Sequence, residues 1–400
     1  MYRFTIPNKS THLLDINVKT FSKRSKNNKI SVLNTEYTDI LNKNKDKIEK
    51  YYNNNLWDKM KKIINPYELI YITNKKYRYK SLSFYEPLSR SYYKMIEMSH
   101  IFLKEYFTSE VLGNQGKSPE GVKSLHLAEG PGGFVEGWRY FRNNNKNDRL
   151  YAITLISPNK EIPSWKKTDL FLKNNQEVKI LTGLDGKGDL YNADNIKYIK
   201  NRLGEHSMDI ITGDGGFDFS IGYNIQEQYA SKLVYSQVLT AIKCQKVGGT
   251  FICKFFDTNN KFTIDLLYLL QCLYENIYIY KPFTSRVANS ERYVVCTNYL
   301  KEIDDMYWNK LLSVLIVWNN CSLNDLSFGM DGLLEGVPVG FMNLLSKINY
   351  TTIQSQIKYI NSTIDLIEND KSDMWYAENK SRQHAFALMW CIRFKVPFTF

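Results

Sequence analysis

The run Ser124-Leu-His-Leu-Ala-Glu-Gly-Pro-Gly-Gly-Phe134 narrows the possible folds more than any other stretch of the 400 residues. An apolar segment of strand length breaks off into glycines and resumes as an amphipathic segment near residues 134–142. A strand that turns through glycines straight into a helix lets backbone approach a ligand with no side chain in between, and it points helix N–H groups at that ligand. This predicts a nucleotide-like cofactor site. A tight strand-to-helix connection has the same appearance, so the rest of the chain has to decide.

Further apolar runs follow at 150–156, 178–182, 208–213, 249–256, 277–280 and 293–300, with helical patterns near 192–202, 225–246 and 262–275 between them. Near-continuous apolar strands alternating with amphipathic helices predict an α/β fold with a mainly parallel sheet covered on both faces. Seven strands are expected, the last two as an antiparallel pair closing the edge, because no helix-length segment separates them. In such sheets ligands bind beyond the carboxyl ends of the strands, near the reversal of strand order. Residues 301–400 read as a helical extension.

The net charge of +12 is unevenly placed: residues 1–80 hold 18 Lys and Arg against 7 Asp and Glu, and the remaining 320 are nearly balanced at 35 against 34. A positive field concentrated beside a neutral body gathers polyanions, most commonly nucleic acid. Residues 1–80 are therefore expected to be a basic segment that binds RNA, with its clearest helix at about 38–64. No apolar run approaches the roughly 20 residues of a membrane span, and the N-terminus lacks the apolar core of a signal peptide. The six cysteines form no Cys-x-x-Cys pair, so neither a zinc site nor a disulfide framework is indicated. A cytosolic location without a membrane partner is expected.

Charged residues recur at predicted strand ends. Asp214 follows the 208–213 run, Lys254 lies in Phe251-Ile-Cys-Lys-Phe-Phe256, Glu291 precedes the last strand, and Lys94 lies on the helix before the glycine turn. A lysine among such apolar neighbours is either paired with a carboxylate or depressed in pKa. Two lysines and two acids on the cofactor edge suit a general base.

Ser89-Arg-Ser-Tyr-Tyr-Lys94-Met-Ile-Glu97, Glu129-Gly-Pro-Gly-Gly-Phe134, Asp214-Gly-Gly-Phe217, Lys254-Phe-Phe256 and Ser290-Glu-Arg-Tyr293 resemble, in order and spacing, the successive motifs of the FtsJ/RrmJ-like ribose 2′-O-methyltransferases. The resemblance covers about residues 85–300 and implies a Rossmann-like methyltransferase domain over 81–300 with S-adenosyl-L-methionine as cofactor. It also implies a Lys94-Asp214-Lys254-Glu291 catalytic set in which Lys254, disfavoured as a cation by Lys94 and by burial, takes the proton of an RNA ribose hydroxyl. Glu291 would orient the base and Asp214 would sit near the methyl group. No metal is implied. Cofactor contacts are expected from Glu129, Gly130, Pro131, Gly132, Gly133, Phe134, Thr154, Asp185, Asp189 and Asp214.

Two positions depart from the family pattern. His126 stands where an acid is usual, leaving Glu129 to meet the methionine amino group, and Thr154 stands where a ribose-binding acid is usual. Residues 182–189 and 390–397 look most like the cap-directed members of large DNA viruses, so the expected substrate is capped mRNA, with other capping or polyadenylation subunits as partners. An rRNA or tRNA methyltransferase and a catalytically silent RNA-binding scaffold are the alternatives. With 29 Tyr, 21 Phe and 7 Trp, no single aromatic stands out as a base-stacking residue.

Overall fold

The computed structural model describes residues 2–7, 12–22, 31–51, 55–106, 121–159, 162–217, 223–321 and 328–399. In chain order it contains β1 (Tyr2–Pro7), β2 (Ile16–Ser22), α1 (Thr35–Glu49), α2 (Leu56–Ile63), α3 (Ser91–Phe102), β3 (Lys123–Leu127), α4 (Gly133–Phe141), β4 (Arg149–Ile153), α5 (Asp169–Asn174) and β5 (Val178–Leu181). There follow α6 (Ala193–Leu203), β6 (Met208–Gly213), α7 (Gln226–Cys244), β7 (Gln245–Phe255), α8 (Lys261–Leu273), β8 (Tyr274–Lys281), β9 (Arg292–Tyr299), α9 (Asp305–Cys321), β10 (Phe328–Leu334), α10 (Val339–Glu368) and α11 (Asp373–Arg393).

Eight strands form the main sheet in the order β1-β8-β9-β7-β6-β3-β4-β5. The pairs β3–β4, β4–β5, β3–β6 and β6–β7 are parallel, whereas β9 runs antiparallel to both β7 and β8. The apolar runs are near-continuous because both faces are covered. Ile211, Phe251 and Cys253 pack into a core with α7, α8 and α9. Their neighbours Ile210 and Ile252 face Met95 and Met98 of α3 and Phe134 and Trp138 of α4. Strand order reverses between β3 and β6, and the carboxyl ends flanking that reversal carry the glycine turn and Asp214.

The sheet exceeds the expected seven strands because the N-terminus joins it. Tyr2–Pro7 pairs antiparallel with β8, Tyr2 opposite Lys281 and Pro7 opposite Asn276, so β8 is not the edge. Ile6 is buried, and Arg3 lies over the rings of Phe102 and Tyr278 at 4.9 and 4.5 Å. The helix expected at 38–64 is two helices, α1 and α2. Lys45 of α1 is buried in an ion pair of 2.6 Å with Asp257, so part of the N-terminal positive charge is internal. β2 pairs with β10 in a separate two-stranded sheet. At the other end, Trp390 of α11 packs edge-on against Tyr93 of α3. No helix among the described residues is long and apolar enough to cross a membrane.

Candidate active site

The turn after β3 is glycine-rich because neighbouring segments close over it. A Cβ at Gly130 would lie 2.9 Å from the carbonyl oxygen of Pro163, and one at Gly133 would lie 2.1 Å from the hydroxyls of Ser89 and Ser91. Gly132 has φ +113°, a conformation that side chains disfavour. The first amides of α4 are not free, as the sequence suggested they would be. Phe134 and Val135 donate to Oε1 of Glu129 at 2.7 and 3.1 Å. Glu129 Oε2 is buried with no hydrogen-bond partner. Burial and the nearby Asp214 push the Glu129 carboxyl well above the usual carboxylate range.

Of the expected adenosine-side residues, Thr154 is buried at the end of β4, and its carbonyl abuts Gly188, where a Cβ would come within 2.1 Å. The loop at 182–189 thereby closes on the strand end. Asp185 turns back into that loop, accepting from Lys187 N and Asn195 Nδ2, both at 2.9 Å. Asp189 accepts from Tyr191 N at 2.8 Å. His126 lies inside the sheet, its ring nitrogens 2.8 and 3.0 Å from the hydroxyls of Thr212 and Ser124. Burial lowers it to about 3, so the ring is neutral. Its place in the glycine motif is structural.

Beside the turn, the four charged residues meet as two ion pairs. Lys94 Nζ lies 2.7 Å from Glu291 Oε1, and Lys254 Nζ lies 3.2 Å from Asp214 Oδ1 while donating to the Asp214 carbonyl at 2.7 Å. A Cβ at Gly216 would stand 2.9 Å from Lys254 Nζ, and one at Gly215 would stand 2.7 Å from Leu233 Cδ2 and 2.9 Å from Ala128 Cβ. Tyr293, opposite Lys254 in the β7–β9 register, donates to Asp214 Oδ1 at 2.7 Å and lies against Phe134.

The field of this cluster differs from the sequence expectation. Burial opposes charge on Lys254, but Asp214 and Glu291 outweigh it and raise the amine above its ordinary value. Lys94 is paired with Glu291. Glu291 is likewise buried, yet Lys94, Lys254 and Lys281 bring its carboxyl down to about 2.

Two supporting residues escaped sequence reasoning. Lys281, buried at the end of β8, donates to the carbonyls of Asn289 and Glu291, both at 2.5 Å, clamping the turn that carries Glu291. Burial, with Arg292 and Lys94 acting against the pull of Glu291, lowers its amine to about 7. Glu97 of α3 is fully buried and accepts from Tyr280 Oη, Trp390 Nε1 and Phe283 N at 2.5, 2.9 and 2.7 Å. It ties the helix bearing Lys94 to β8 and α11. Lysine before proline and glutamate within an apolar helix read as ordinary punctuation, and the only available signal was their nearness in sequence to Glu291 and Lys94.

Sheet order, cofactor turn and charged cluster define a Rossmann-like methyltransferase fold. Residues 87–299 match the FtsJ-like methyltransferase family, and the chain belongs to that family. Its cofactor is S-adenosylmethionine, which the unpartnered Glu129 Oε2 and the glycine-rich turn at Gly130–Gly133 fit. Cap-specific mRNA (nucleoside-2′-O-)-methyltransferase 1 of Xenopus laevis is 33% identical over 257 residues, 60% of this chain and 28% of that protein. The protein of the same name from Homo sapiens is 33% identical over 259 residues, with the same coverage of 60% and 28%. Cap-specific mRNA (nucleoside-2′-O-)-methyltransferase 2 of Drosophila melanogaster is 30% identical over 195 residues, 46% of this chain and 28% of its own. The chain thus spans under a third of the length of these relatives. They are animal proteins and do not support the viral likeness expected from residues 182–189 and 390–397.

Proposed function

We propose that this protein methylates a ribose 2′-hydroxyl of RNA, on the cap-proximal nucleotide of mRNA. The observation that carries the proposal is the convergence of the Lys254–Asp214 and Lys94–Glu291 pairs beside the glycine turn at the strand-order reversal. When bound, S-adenosylmethionine supplies an electrophilic methyl group. Glu129 would hold its amino group through the unpartnered Oε2, with the turn at Gly130–Gly133 and Phe134 as further contacts and Thr154 and Asp189 for its adenosine end, while Asp185 holds their loop in shape.

Lys254 would take the acceptor hydroxyl proton on Nζ as the ribose oxygen gains the methyl group, the methyl–sulfur bond breaking and a neutral thioether leaving. In the structure that amine is held as a cation, so it must first release a proton to solvent, and the reaction quickens as pH rises. Lys94 and Glu291 fix the far side of the acceptor ribose, and holding donor and acceptor in line supplies much of the acceleration. Cap specificity is supported by the relatives, which are cap-specific mRNA (nucleoside-2′-O-)-methyltransferases. The exposed Lys75 and Lys76, the latter 5.6 Å from the ring of Tyr77, offer phosphate contacts in the basic N-terminal segment.

Methyl transfer from labelled cofactor to capped and uncapped forms of one RNA tests the proposal. Incorporation restricted to the capped form, at the first transcribed ribose, is expected. Equal incorporation into both forms would remove the cap from the reading, and none into either would remove the reaction.

A further inference from the structure

A cleft of about 620 Å³ opens between the end of α2, the second half of α10 and the first half of α11, outside the residues that match the family. Its position is fixed by hydrogen bonds between helices. Asn379 donates to the carbonyl of Ile63 at 2.7 Å, and Gln383 donates to those of Lys62, Ile63 and Asn65. Ser372 caps α11 by accepting from Trp375 N, which sets the indole at the cleft wall with Tyr359 on the α10 side. Lys371 is paired with Asp365 at 2.9 Å. Lys358, Arg382 and Glu378 line the cleft, are exposed, and make no ion pair among the described residues.

These groups match one nucleotide of single-stranded nucleic acid. Cationic side chains meet phosphate, an aromatic face stacks a base, and hydrogen-bonding groups read the base edge. The unpaired carboxylate selects among bases, because guanine presents amino and imino donors to it where adenine presents a ring acceptor. The cleft also connects to the reaction site. Arg292, the residue after Glu291, donates to Thr352 Oγ1 at 3.3 Å, and Gln356 donates to the Ala288 carbonyl at 3.1 Å. From Gln356, α10 continues to the cleft, its rise carrying Ser362 roughly 9 Å further along.

We infer that this cleft is a second RNA subsite, taking a guanine-containing nucleotide of the transcript itself, apart from the acceptor. The inference rests on reading the protein as an RNA methyltransferase. The full chain is titrated with an uncapped single-stranded RNA of about a dozen nucleotides rich in guanine, and with an all-adenine one, by fluorescence anisotropy at several salt concentrations. Lys358→Glu with Arg382→Glu, both on the surface, is expected to weaken guanine-rich binding roughly tenfold and to flatten its salt dependence by about one to two phosphate contacts. Glu378→Gln should abolish the preference for guanine and leave the salt slope unchanged. S-adenosylmethionine affinity should not move in any variant.

Wild-type affinity and slope in the charge-reversed protein would overturn the subsite even while methyl transfer continued. A protein that loses RNA affinity in these variants yet methylates no RNA would keep the subsite and overturn the reaction. A preference for guanine that survives Glu378→Gln would overturn the assignment of the carboxylate.

Discussion

The turn after β3 and the charged cluster ahead of β9 share one sheet edge and are built by opposite means. At the turn, backbone and neutral groups set the shape, and one carboxylate oxygen, Glu129 Oε2, is buried with no partner. In the cluster, each of the four charged residues lies within 3.2 Å of an opposite charge. An unmet buried acceptor costs roughly 1–3 kcal/mol, which a cationic ligand removes on binding. A buried ion pair holds its state unaided and suffers chiefly when one member is removed. Ligand affinity should therefore reside at the turn and rate in the cluster, with mutations in one leaving the readout of the other in place.

The strongest attempt to break that division is Lys254→Ala. Methyl transfer should fall by a factor of roughly a hundred or more, the size typical of removing a positioned base, while calorimetric S-adenosylmethionine affinity stays as in the wild type. Lys254→Arg should be nearly as inactive, because a guanidinium stays protonated. Since Asp214 and Glu291 raise the Lys254 amine, the wild-type rate should climb with pH through the neutral and alkaline range. That limb should be absent in both variants. An arginine variant that kept most of the rate would return Lys254 to a structural ion pair.

At the turn, Glu129→Gln preserves an acceptor for the α4 amides and places a donor where the unpartnered oxygen lies. Cofactor affinity should fall roughly tenfold to a hundredfold, as expected for losing a hydrogen bond to a charged group. The pH dependence has a definite sign. Burial and Asp214 keep Glu129 protonated beyond the ordinary range, and a bound ammonium favours the ionised form, so wild-type affinity should strengthen as pH rises and the variant should be flat. Unchanged affinity in Glu129→Gln would remove this residue from the cofactor site.

Most of the sheet was legible because parallel strands covered on both faces need apolar runs, and Ile210 to Thr212 or Phe251 to Cys253 cannot be read otherwise. Asp214 and Lys254 were legible because each ends or interrupts such a run, and Lys94 and Glu291 because of the motifs around them. Tyr2–Pro7 was hidden because only Ile6 of the strand is buried, leaving its charge more conspicuous than its alternation. The direction of the Lys254 shift could not be read, because it depends on how closely Asp214 and Glu291 approach the buried amine, and only the fold brings those residues together. The role of Glu129 was half visible: glycines announced the turn, but capping of α4 and the unpartnered oxygen require its rotamer.

Lys281 allows the smallest effect and the sharpest test of the cluster. Its two hydrogen bonds hold the backbone of Asn289 and Glu291. Lys281→Met keeps the length of the stem and removes both donors, freeing the Glu291 carboxylate to shift against Lys94. The turnover rate should fall severalfold, up to about tenfold, with cofactor affinity unchanged. Stability supplies a second readout with a definite sign. The groups facing the amine are Glu291 and Arg292 of the β9 end, Lys94 of α3, and Asp257 with its partner Lys45. Burial, with Arg292 and Lys94, outweighs the pull of Glu291 and Asp257 and lowers it from the unfolded value of 10.5 to about 7. Between those two values the unfolded chain binds the extra proton, so this group makes wild-type stability rise with pH, by up to about 1.4 kcal/mol per unit. Urea unfolding at about pH 7 and pH 9 should show that rise in the wild type and a smaller one in Lys281→Met. A variant that loses the pH-linked rise yet turns over at the wild-type rate would show that Lys281 supports the fold alone and that Glu291 is positioned without it.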